Sequence, residues 1–321
     1  MGSGNKVDVR MHEDLLPGPW KDISELFGYP AKDRSPEVAR IREKRSCPFL
    51  RGTCTKLDHR SNSTGVCTVF NPKEGLETII CPNRLYFDNY QVLREVVKDA
   101  FGEGFGLIRP EGVGAINQDG RKVVALGHNF GKEVRVPLPA IRGRRRAGSF
   151  YTDWVLAQIT QKGDLGNFVG VEVQSIDTTG NYRAAQAGYM KGLKQRPPSE
   201  HGLNWENVNK RILPQVIFKG RVLQREKSCE KGLYFIVPEA MYERILQRLG
   251  GGLEEYPLGR GSVTFFRYAI VKAAQPGQIR KIEKAGTTRT NVESIAARFS
   301  GGRDLPEQGE FERHIRQALG V

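Results

Sequence analysis

The segment FVGVEVQSID, residues 168–177, alternates between apolar and polar positions over its first half. Three valines alternate with Gly170, Glu172 and Gln174, which is the period of two that a β-strand requires. The preceding segments DWVLAQIT and QKGDLGN have the pattern of a strand and a turn, so the two strands are predicted to form a hairpin. Glu172 and Gln174 share one face of this hairpin, where they are either ordinary solvent-exposed residues or the lining of a reactive cleft.

The rest of the chain shows both helical and strand periodicity, which predicts a mixed α/β class. Helices are predicted around residues 23–27 and over 86–101, 182–191, 205–223 and 238–249. Strands are predicted over residues 121–127, 132–138, 233–237 and 263–272, followed by two short helices. Pro214 is expected to kink or split the longest helix, because proline lacks the amide hydrogen that a helix interior uses.

The chain has an excess of positive charge, since 50 lysines and arginines against 36 aspartates and glutamates give a net charge of +14. This excess favours an anionic partner, with nucleic acid first and an anionic membrane second, and an indifferent basic surface is the alternative. No apolar run approaches the ~20 residues that span a bilayer, and the N-terminus has no signal-peptide pattern. We therefore expect a cytoplasmic protein with no membrane partner and with reduced cysteines.

Four of the five cysteines are close together in the sequence, at Cys47, Cys54, Cys67 and Cys81. Four thiolates in so short a stretch favour a closed tetrahedral site for zinc or iron. The segment has few apolar residues, so bound metal is expected to replace a hydrophobic core. Four unrelated cysteines are the alternative, because the spacing is not that of a zinc ribbon. Cys229, in KSCEKG, is interpreted as a non-ligand.

A second constellation combines Asp153, near the start of the hairpin, with Glu172 and Gln174. A register that places Asp153 opposite Gln174 brings all three side chains to one face, whereas a slip by one residue separates them. Two close carboxylates repel each other, and Mg²⁺ relieves this repulsion because it prefers oxygen ligands. The pattern D…ExQ is a variant of the nuclease pattern D…(D/E)xK, in which the metal activates water for phosphodiester hydrolysis. Gln174 cannot supply positive charge, but its amide can orient a water molecule.

Three longer motifs contain these residues and occur in a fixed order over residues 45–250. They are CPFL…C…GVC…CPNR, TDWVLAQI…FVGVEVQSIDTTGNYR and NWENVNKRILPQVIFKG…KGLYFIVPEA. Together they resemble the NotI-type rare-cutting type II restriction endonucleases. The resemblance implies a PD-(D/E)xK nuclease core, with a mixed sheet flanked by helices. It also implies a prokaryotic homodimer that cuts both strands of a GC-rich palindromic DNA site with Mg²⁺.

The resemblance also implies roles for individual residues. It assigns Asp153, Glu172 and Gln174 to catalysis, with Asp153 and Glu172 as the magnesium ligands. Glu133, in GKEVRV, matches a further glutamate near the metals. At the four-cysteine site the resemblance favours structural iron over zinc. The predicted organisation is an N-terminal arm over residues 1–40, a four-cysteine metal-binding region over 41–90 and the catalytic domain over 91–321.

Basic and polar residues beside the hairpin are candidates for DNA contacts. The loop IRGRRRAGS provides four of them, at Arg142, Arg144, Arg145 and Arg146. Arginine clamps phosphates and binds guanine in the major groove, and a solvated charged loop is the alternative. Asn181 and Arg183 follow the catalytic strand and are predicted to reach DNA, with helix capping by Asn181 as the alternative. Gln215 and Lys219 share one face of a predicted helix behind the hairpin, where either can support the site, and placement on the surface is the alternative.

The leading hypothesis from the sequence is a site-specific DNA endonuclease. A non-catalytic DNA-binding regulator with a four-cysteine metal site also explains the charge and the cysteines, but it leaves Glu172 and Gln174 unexplained. A repair-type nuclease on the same fold is the third hypothesis. Symmetric double-strand cleavage at a fixed palindrome excludes this third hypothesis, and such cleavage requires two-fold symmetry in the enzyme.

Overall fold

A mixed sheet of seven strands flanked by helices forms the centre of the protein. The computed structural model describes residues 21–57, 61–115, 121–139, 148–271, 275–301 and 307–320.

The strands in this part of the chain are β1 (Asp22–Leu26), β2 (Tyr29–Pro30), β3 (Ser46–Cys47), β4 (Gly52–Thr53), β5 (Val66–Asn71), β6 (Leu76–Ile79), β7 (Gly106–Ile108), β8 (Lys122–Gly127), β9 (Val136–Pro137), β10 (Ser149–Phe150), β11 (Trp154–Ile159), β12 (Leu165–Val173), β13 (Thr178–Thr179), β14 (Gly202–Leu203), β15 (Leu233–Pro238), β16 (Ser262–Ile270) and β17 (Ile282–Asn291). The α-helices are α1 (Pro36–Glu43), α2 (Phe87–Phe101), α3 (Arg183–Met190), α4 (Leu213–Gln224), α5 (Glu239–Arg248), α6 (Val292–Ser300) and α7 (Glu310–Leu319). Short 3₁₀ turns span Pro82–Tyr86, Pro110–Ala115 and His128–Phe130, and a π-helical turn spans Val208–Ile212.

The central sheet has the strand order β17-β16-β15-β12-β11-β8-β7. The strand β15 is parallel to its neighbours β12 and β16, and β7 is parallel to β8. The pairs β8–β11, β11–β12 and β16–β17 are antiparallel. The fold is therefore mixed α/β, as the periodicity of the sequence predicts, and its central sheet is mixed, as the resemblance implies.

The predicted hairpin is confirmed as β11 and β12, but its register differs from the prediction. Trp154 pairs with Val171, so the register continues to place Asp153 beside Glu172, two residues before the predicted partner Gln174. The register shifts once, because β12 uses one more residue than β11 between the Ala157 and Ile159 pairs. Such a bulge moves one strand by one residue and thereby changes which side chains share a face. Without it, the register at the turn would leave Asp153 and Glu172 on opposite faces.

Both faces of the hairpin are covered, which explains its nearly continuous apolar sequence. On one face Trp154 packs edge-on against three aromatic rings, those of Tyr86, Tyr90 and Phe130. On the other face α4 lies close to β12, because Gly170 has no side chain. A Cβ atom on Gly170 would lie 2.5 Å from Cδ1 of Leu223 in α4. This contact fixes the position of α4 over the end of β12, where Glu172 lies.

A second sheet contains the strands of the cysteine-rich region, in the order β2-β1-β5-β6. The helix predicted around residues 23–27 is wrong, because β1 is a buried strand that pairs with β2 and β5. The expected lack of a hydrophobic core is also wrong. Ile23, Val66 and Val69 are buried in one hydrophobic cluster that extends to Ile295 near the C-terminus.

A fully buried ion pair joins this second sheet to the rest of the protein. Arg84 donates through Nε and Nη2 to the carboxylate of Glu25, at 2.9 and 3.0 Å. The same Nη2 donates to the carbonyl of Arg280 at 2.6 Å. Burial by itself raises the pKa of Glu25, but the charge and hydrogen bonds of Arg84 outweigh burial, and the pKa lies below its ordinary value.

Most of the other predicted elements of the central sheet are present. The predicted split of the longest helix is confirmed, because Pro214 lies in the first turn of α4, directly after the π-helical turn. The strand predicted over 132–138 is reduced to β9. The sequence pattern did not predict β17, whose polar sequence IEKAGTTRTN fits its place at the edge of the sheet. Within the described residues, no helix is long and apolar enough to cross a membrane.

Candidate active site

Two strand ends bring Asp153 and Glu172 together. Asp153 directly precedes β11, and Glu172 is the residue before the last of β12. The backbone N–H of Asp153 donates to Oε1 of Glu172 at 3.2 Å, and the backbone N–H of Val173 donates to Oδ2 of Asp153 at 2.8 Å. Each carboxylate is therefore bound by the main chain of the opposite strand, and the hairpin itself sets their relative position.

Lys219 of α4 completes this arrangement from the covering helix. Its Nζ lies 2.6 Å from Oε1 of Glu172, and the two side chains are only 14% and 8% exposed. Lys219 precedes Leu223 by one helical turn, and Glu172 follows Gly170 by two strand residues. Four residues of a helix and two residues of a strand each extend about 6 Å along the axis of the element. The contact between Leu223 and Gly170 therefore places Lys219 over Glu172.

The site carries more negative than positive charge. Burial raises the pKa of Glu172 to about 7, with a further rise from the charge of Asp153 and an opposing effect of Lys219. Burial also raises the pKa of Asp153, and the charge of Glu133 adds to this rise. The N–H of Val173 and the charge of Lys219 oppose it. Carboxylates whose ionised form is disfavoured in this way become more stable when a cation binds between them.

A cleft of about 380 Å³ opens beside Asp153. Part of its wall comes from the cysteine-rich region, with Thr55, Pro82 and Asn83. Glu133 lies in the same wall, is 16% exposed on its side chain and forms an ion pair with Arg135. Glu172 contacts Asp153 from the side of α4 and is not part of the wall. Asp153 and Glu133 thus line the cleft, and Glu172 is hydrogen-bonded to the backbone of Asp153.

Gln174 lies on the same strand but does not join the carboxylates. Its side-chain amide donates to the carbonyl of Ser175 at 3.1 Å, and its backbone N–H donates to the carbonyl of Ile236 at 3.0 Å. Among the described residues it makes no hydrogen bond to Asp153 or Glu172. Of the two helix residues considered as support for the site, Lys219 contacts it and Gln215 is exposed.

The four clustered cysteines are all buried and reduced. The thiol of Cys67 donates to the carbonyl of Gly65 at 3.4 Å. Interaction between the side chains of Cys67 and Cys81 lowers the pKa of Cys81 to about 6 and raises that of Cys67. Burial raises the pKa of Cys47 to about 11 and also raises that of Cys54, and the charge of Cys81 adds to both shifts. Cys81 is therefore an electrostatic neighbour of the other three cysteines.

Backbone N–H groups point at three of these sulfur atoms. The donors come from Leu50 and Phe49 to Cys47, from Lys56 and Gly65 to Cys54, and from Asn83 and Arg84 to Cys81. Such bonds favour the thiolate form, which is the form that binds metals. Over the described ranges, however, no group of three or more His, Cys, Asp or Glu side chains is arranged as ligands of a metal ion. The chemistry of the donors fits a soft metal, whereas their arrangement does not yet enclose one.

The predicted DNA-binding residues are only partly described. The four loop arginines, Arg142, Arg144, Arg145 and Arg146, lie outside the described residues. Asn181 and Arg183 are exposed, and Oδ1 of Asn181 accepts the backbone N–H of Arg183 at 2.8 Å. This bond closes a turn directly before α3, whose N-cap residue is Tyr182 without a side-chain cap hydrogen bond, so the capping alternative for Asn181 is not confirmed. Cys229 is buried, and its thiol donates to the carbonyl of Gly232, apart from the carboxylates and the cysteine cluster.

The sequence analysis missed the polar residues that share the cleft with Asp153. Asn83, His128 and Asn129 lie in its wall. Asn83 follows the last clustered cysteine, and the other two begin the 3₁₀ turn after β8. No local pattern marks them, because only the tertiary fold brings these two loops to the start of β11.

No model of a known protein family and no curated protein matches this chain. The geometry of the residues and the sequence motifs therefore provide the basis for a function.

Proposed function

We propose that this protein is a Mg²⁺-dependent, site-specific DNA endonuclease of the type II restriction class, built on a PD-(D/E)xK-type core. The observation that carries the proposal is the pair Asp153 and Glu172, held to each other by main-chain hydrogen bonds at the open end of a buried hairpin. Glu133 adds a third carboxylate beside Asp153. Several carboxylate oxygens around a polar cleft are the donor set that Mg²⁺ prefers, and perturbed pKa values are typical of functional sites.

Asp153 and Glu172 would hold the catalytic magnesium. When bound, Mg²⁺ supplies an activated water and stabilises the negative charge that develops on the phosphate. Oδ2 of Asp153 and Oε1 of Glu172 are engaged by protein donors, so the second oxygen of each carboxylate would be the one to hold the cation. Glu133 would help to orient water in the cleft. The amide of Gln174 takes part only after it leaves the carbonyl of Ser175, which costs a single hydrogen bond.

A structural metal at the four-cysteine cluster is also part of the proposal, and the chemistry of the donors supports it, although their arrangement does not. Buried thiols that accept backbone N–H groups are suitable ligands for iron or zinc, and the motif resemblance favours iron. The cluster would hold two segments against the cleft, one with Thr55 after Cys54 and one with Pro82 and Asn83 after Cys81. Its role is therefore to stabilise one wall of the active site, without contact to the scissile phosphate.

The DNA partner is supported by charge, and the homodimer follows from the palindromic site that we propose. The net charge of +14 favours a polyanion, and the arginine-rich segment 142–146 is joined to Asp153 by only a few residues. Arginine binds guanine through two hydrogen bonds in the major groove, which fits a GC-rich site. A palindromic site requires two copies of the catalytic centre, so the protein acts as a homodimer. Asn181 and Arg183 provide further exposed polar contacts at the start of α3.

Cleavage of long GC-rich DNA tests the proposal. The purified protein is incubated with the DNA in Mg²⁺ or in EDTA, beside Asp153→Asn and a matched control, Asp164→Asn. Asp164 is exposed in the turn of the same hairpin. We expect discrete fragments from the wild-type protein and the control in Mg²⁺, and intact DNA with EDTA or with Asp153→Asn.

Other outcomes separate the remaining hypotheses. Intact DNA that the wild-type protein nevertheless shifts on a gel, across many GC-rich sequences, favours the non-catalytic regulator. Degradation without discrete fragments favours a repair-type nuclease. Light scattering of the protein bound to DNA that contains its cleavage site gives the number of protein chains in the complex. A complex with a single protein chain contradicts the homodimer.

A further inference from the structure

We infer that Lys219 is a positioning residue of this site, which supplies from helix α4 the positive charge that the strand sequence ExQ lacks. The inference rests on the proposed function and adds to it a residue outside the D…ExQ pattern. Nuclease sites of the D…(D/E)xK pattern place a lysine two residues after the acidic residue, where this chain has Gln174. The amide of Gln174 is neutral, so a cation at this site has to come from another element.

The geometry places Lys219 at the required carboxylate. Its Nζ lies 2.6 Å from Oε1 of Glu172, within a nearly buried contact. Oε1 also accepts the backbone N–H of Asp153, so two donors from different elements hold the same oxygen. With this oxygen fixed, the carboxylate of Glu172 cannot rotate freely, and its second oxygen keeps a constant direction relative to Asp153.

The surroundings of Lys219 keep it at this position. The contact between Leu223 and Gly170 fixes the position of α4 one helical turn away from Lys219. The ring of Tyr151 covers the ammonium group, with 5.3 Å between Nζ and the ring centroid. A cation held between an aromatic ring and a carboxylate has few other positions available. The arrangement therefore belongs to the folded site and does not depend on a mobile surface lysine.

The positive charge of Lys219 predicts an effect on the binding of a divalent cation that a merely structural role would not produce. An ammonium group a few ångströms from a bound divalent cation repels it. Loss of the charge should therefore strengthen divalent binding by roughly a few-fold, even though it slows catalysis. A residue that only maintains the fold would weaken binding and catalysis together.

The test uses Lys219→Met, which keeps the length of the side chain, and Lys219→Arg, which keeps the charge and a donor to Glu172. The control is Lys210→Met, because Lys210 is 71% exposed in the preceding helical turn and pairs with Glu206. Three measurements are made on each full-length protein: Ca²⁺ binding to EDTA-stripped protein by calorimetry, single-turnover cleavage in Mg²⁺, and thermal unfolding in EDTA.

We expect Lys219→Met to cleave about 10- to 100-fold more slowly, the usual effect of losing a partner of a metal ligand. It should bind Ca²⁺ at least as tightly as the wild-type protein. Lys219→Arg should recover most of the rate, since guanidinium also binds carboxylates, and Lys210→Met should match the wild type in all three measurements.

Two results overturn the inference. One is a wild-type cleavage rate in Lys219→Met. The other is weaker Ca²⁺ binding and a lower unfolding temperature in both Lys219 variants, which indicates a structural role. If the wild-type protein binds Ca²⁺ but cleaves no DNA, the proposed function fails and the calorimetry still decides the role of Lys219. If the wild-type protein binds no divalent cation, both proposals fail.

Discussion

Glu172 should make the metal-free protein less stable as the pH rises. In the folded protein burial raises its pKa to about 7, whereas the ordinary value is 4.5. Between these two pH values the folded state binds more protons than the unfolded state. The free energy of unfolding therefore falls as the pH increases through this interval. Replacement by glutamine removes the ionisable group and keeps the size of the side chain.

The pKa values set the magnitude. Values of about 7 and 4.5 differ by about 2.5 units, and each unit corresponds to about 1.4 kcal/mol, so the upper limit is about 3 kcal/mol. Coupling to Asp153 spreads this effect over a wider pH range and does not change its sign. Relative to wild type, Glu172→Gln should gain up to about 3 kcal/mol in unfolding free energy between pH 4.5 and pH 8. The two proteins also differ in unfolding free energy at low pH, because the substitution alters the contact with Lys219. This difference cancels when only the change between pH 4.5 and pH 8 is compared.

Urea unfolding in EDTA at a series of pH values measures the difference. Glu254→Gln is the control, because Glu254 is exposed in the loop after α5. The curve of this control should run parallel to that of the wild type. Parallel curves for the wild type and Glu172→Gln would refute the reasoning, since they would show that Glu172 ionises alike in the folded and unfolded states. Mg²⁺ should raise the stability of the wild type at pH 8 and leave that of Glu172→Gln nearly unchanged.

Three further substitutions test other parts of the structure. Gly127→Ala should cost about 1–3 kcal/mol of stability and slow cleavage, because its Cβ would lie 2.4 Å from the ring of Trp154. Arg84→Met leaves Glu25 buried without its partner and should lower the free energy of unfolding by about 3–5 kcal/mol, measured in urea. Cys81→Ala should remove the structural metal, measured as iron and zinc content per chain by elemental analysis.

Each of these has a matched control in the same chain. Gly252→Ala places its Cβ in open space and should be neutral. Arg313→Met breaks an exposed pair with Glu310 and should leave stability almost unchanged. Cys229→Ala should keep the metal, so equal metal loss in both cysteine variants would contradict the four-cysteine site. Similar losses for Arg84 and Arg313 would contradict the buried ion pair.

The sequence determined the elements whose pattern is local. Alternating valines marked β12. Pro214 marked the break at which α4 begins, because its fixed backbone angle favours the first helical turn, and Pro238 marked the residue directly before α5. β1 and β17 escaped detection for opposite reasons. β1 is short and buried at all five positions, so it shows no alternation, and β17 is a polar edge strand. In both cases the pairing with neighbouring strands provides the stabilisation.

The chemistry of the candidate site was also visible in the sequence, since carboxylates and thiols have few uses in such combinations. Its geometry was decided by the tertiary structure. A bulge in β12 places Asp153 beside Glu172, and the packing of Leu223 on Gly170 brings Lys219 to the same carboxylate. A bulge and a helix–strand contact depend on the fit between segments that are distant in the sequence. Residue types therefore indicated what the site contains, and packing decided which groups touch.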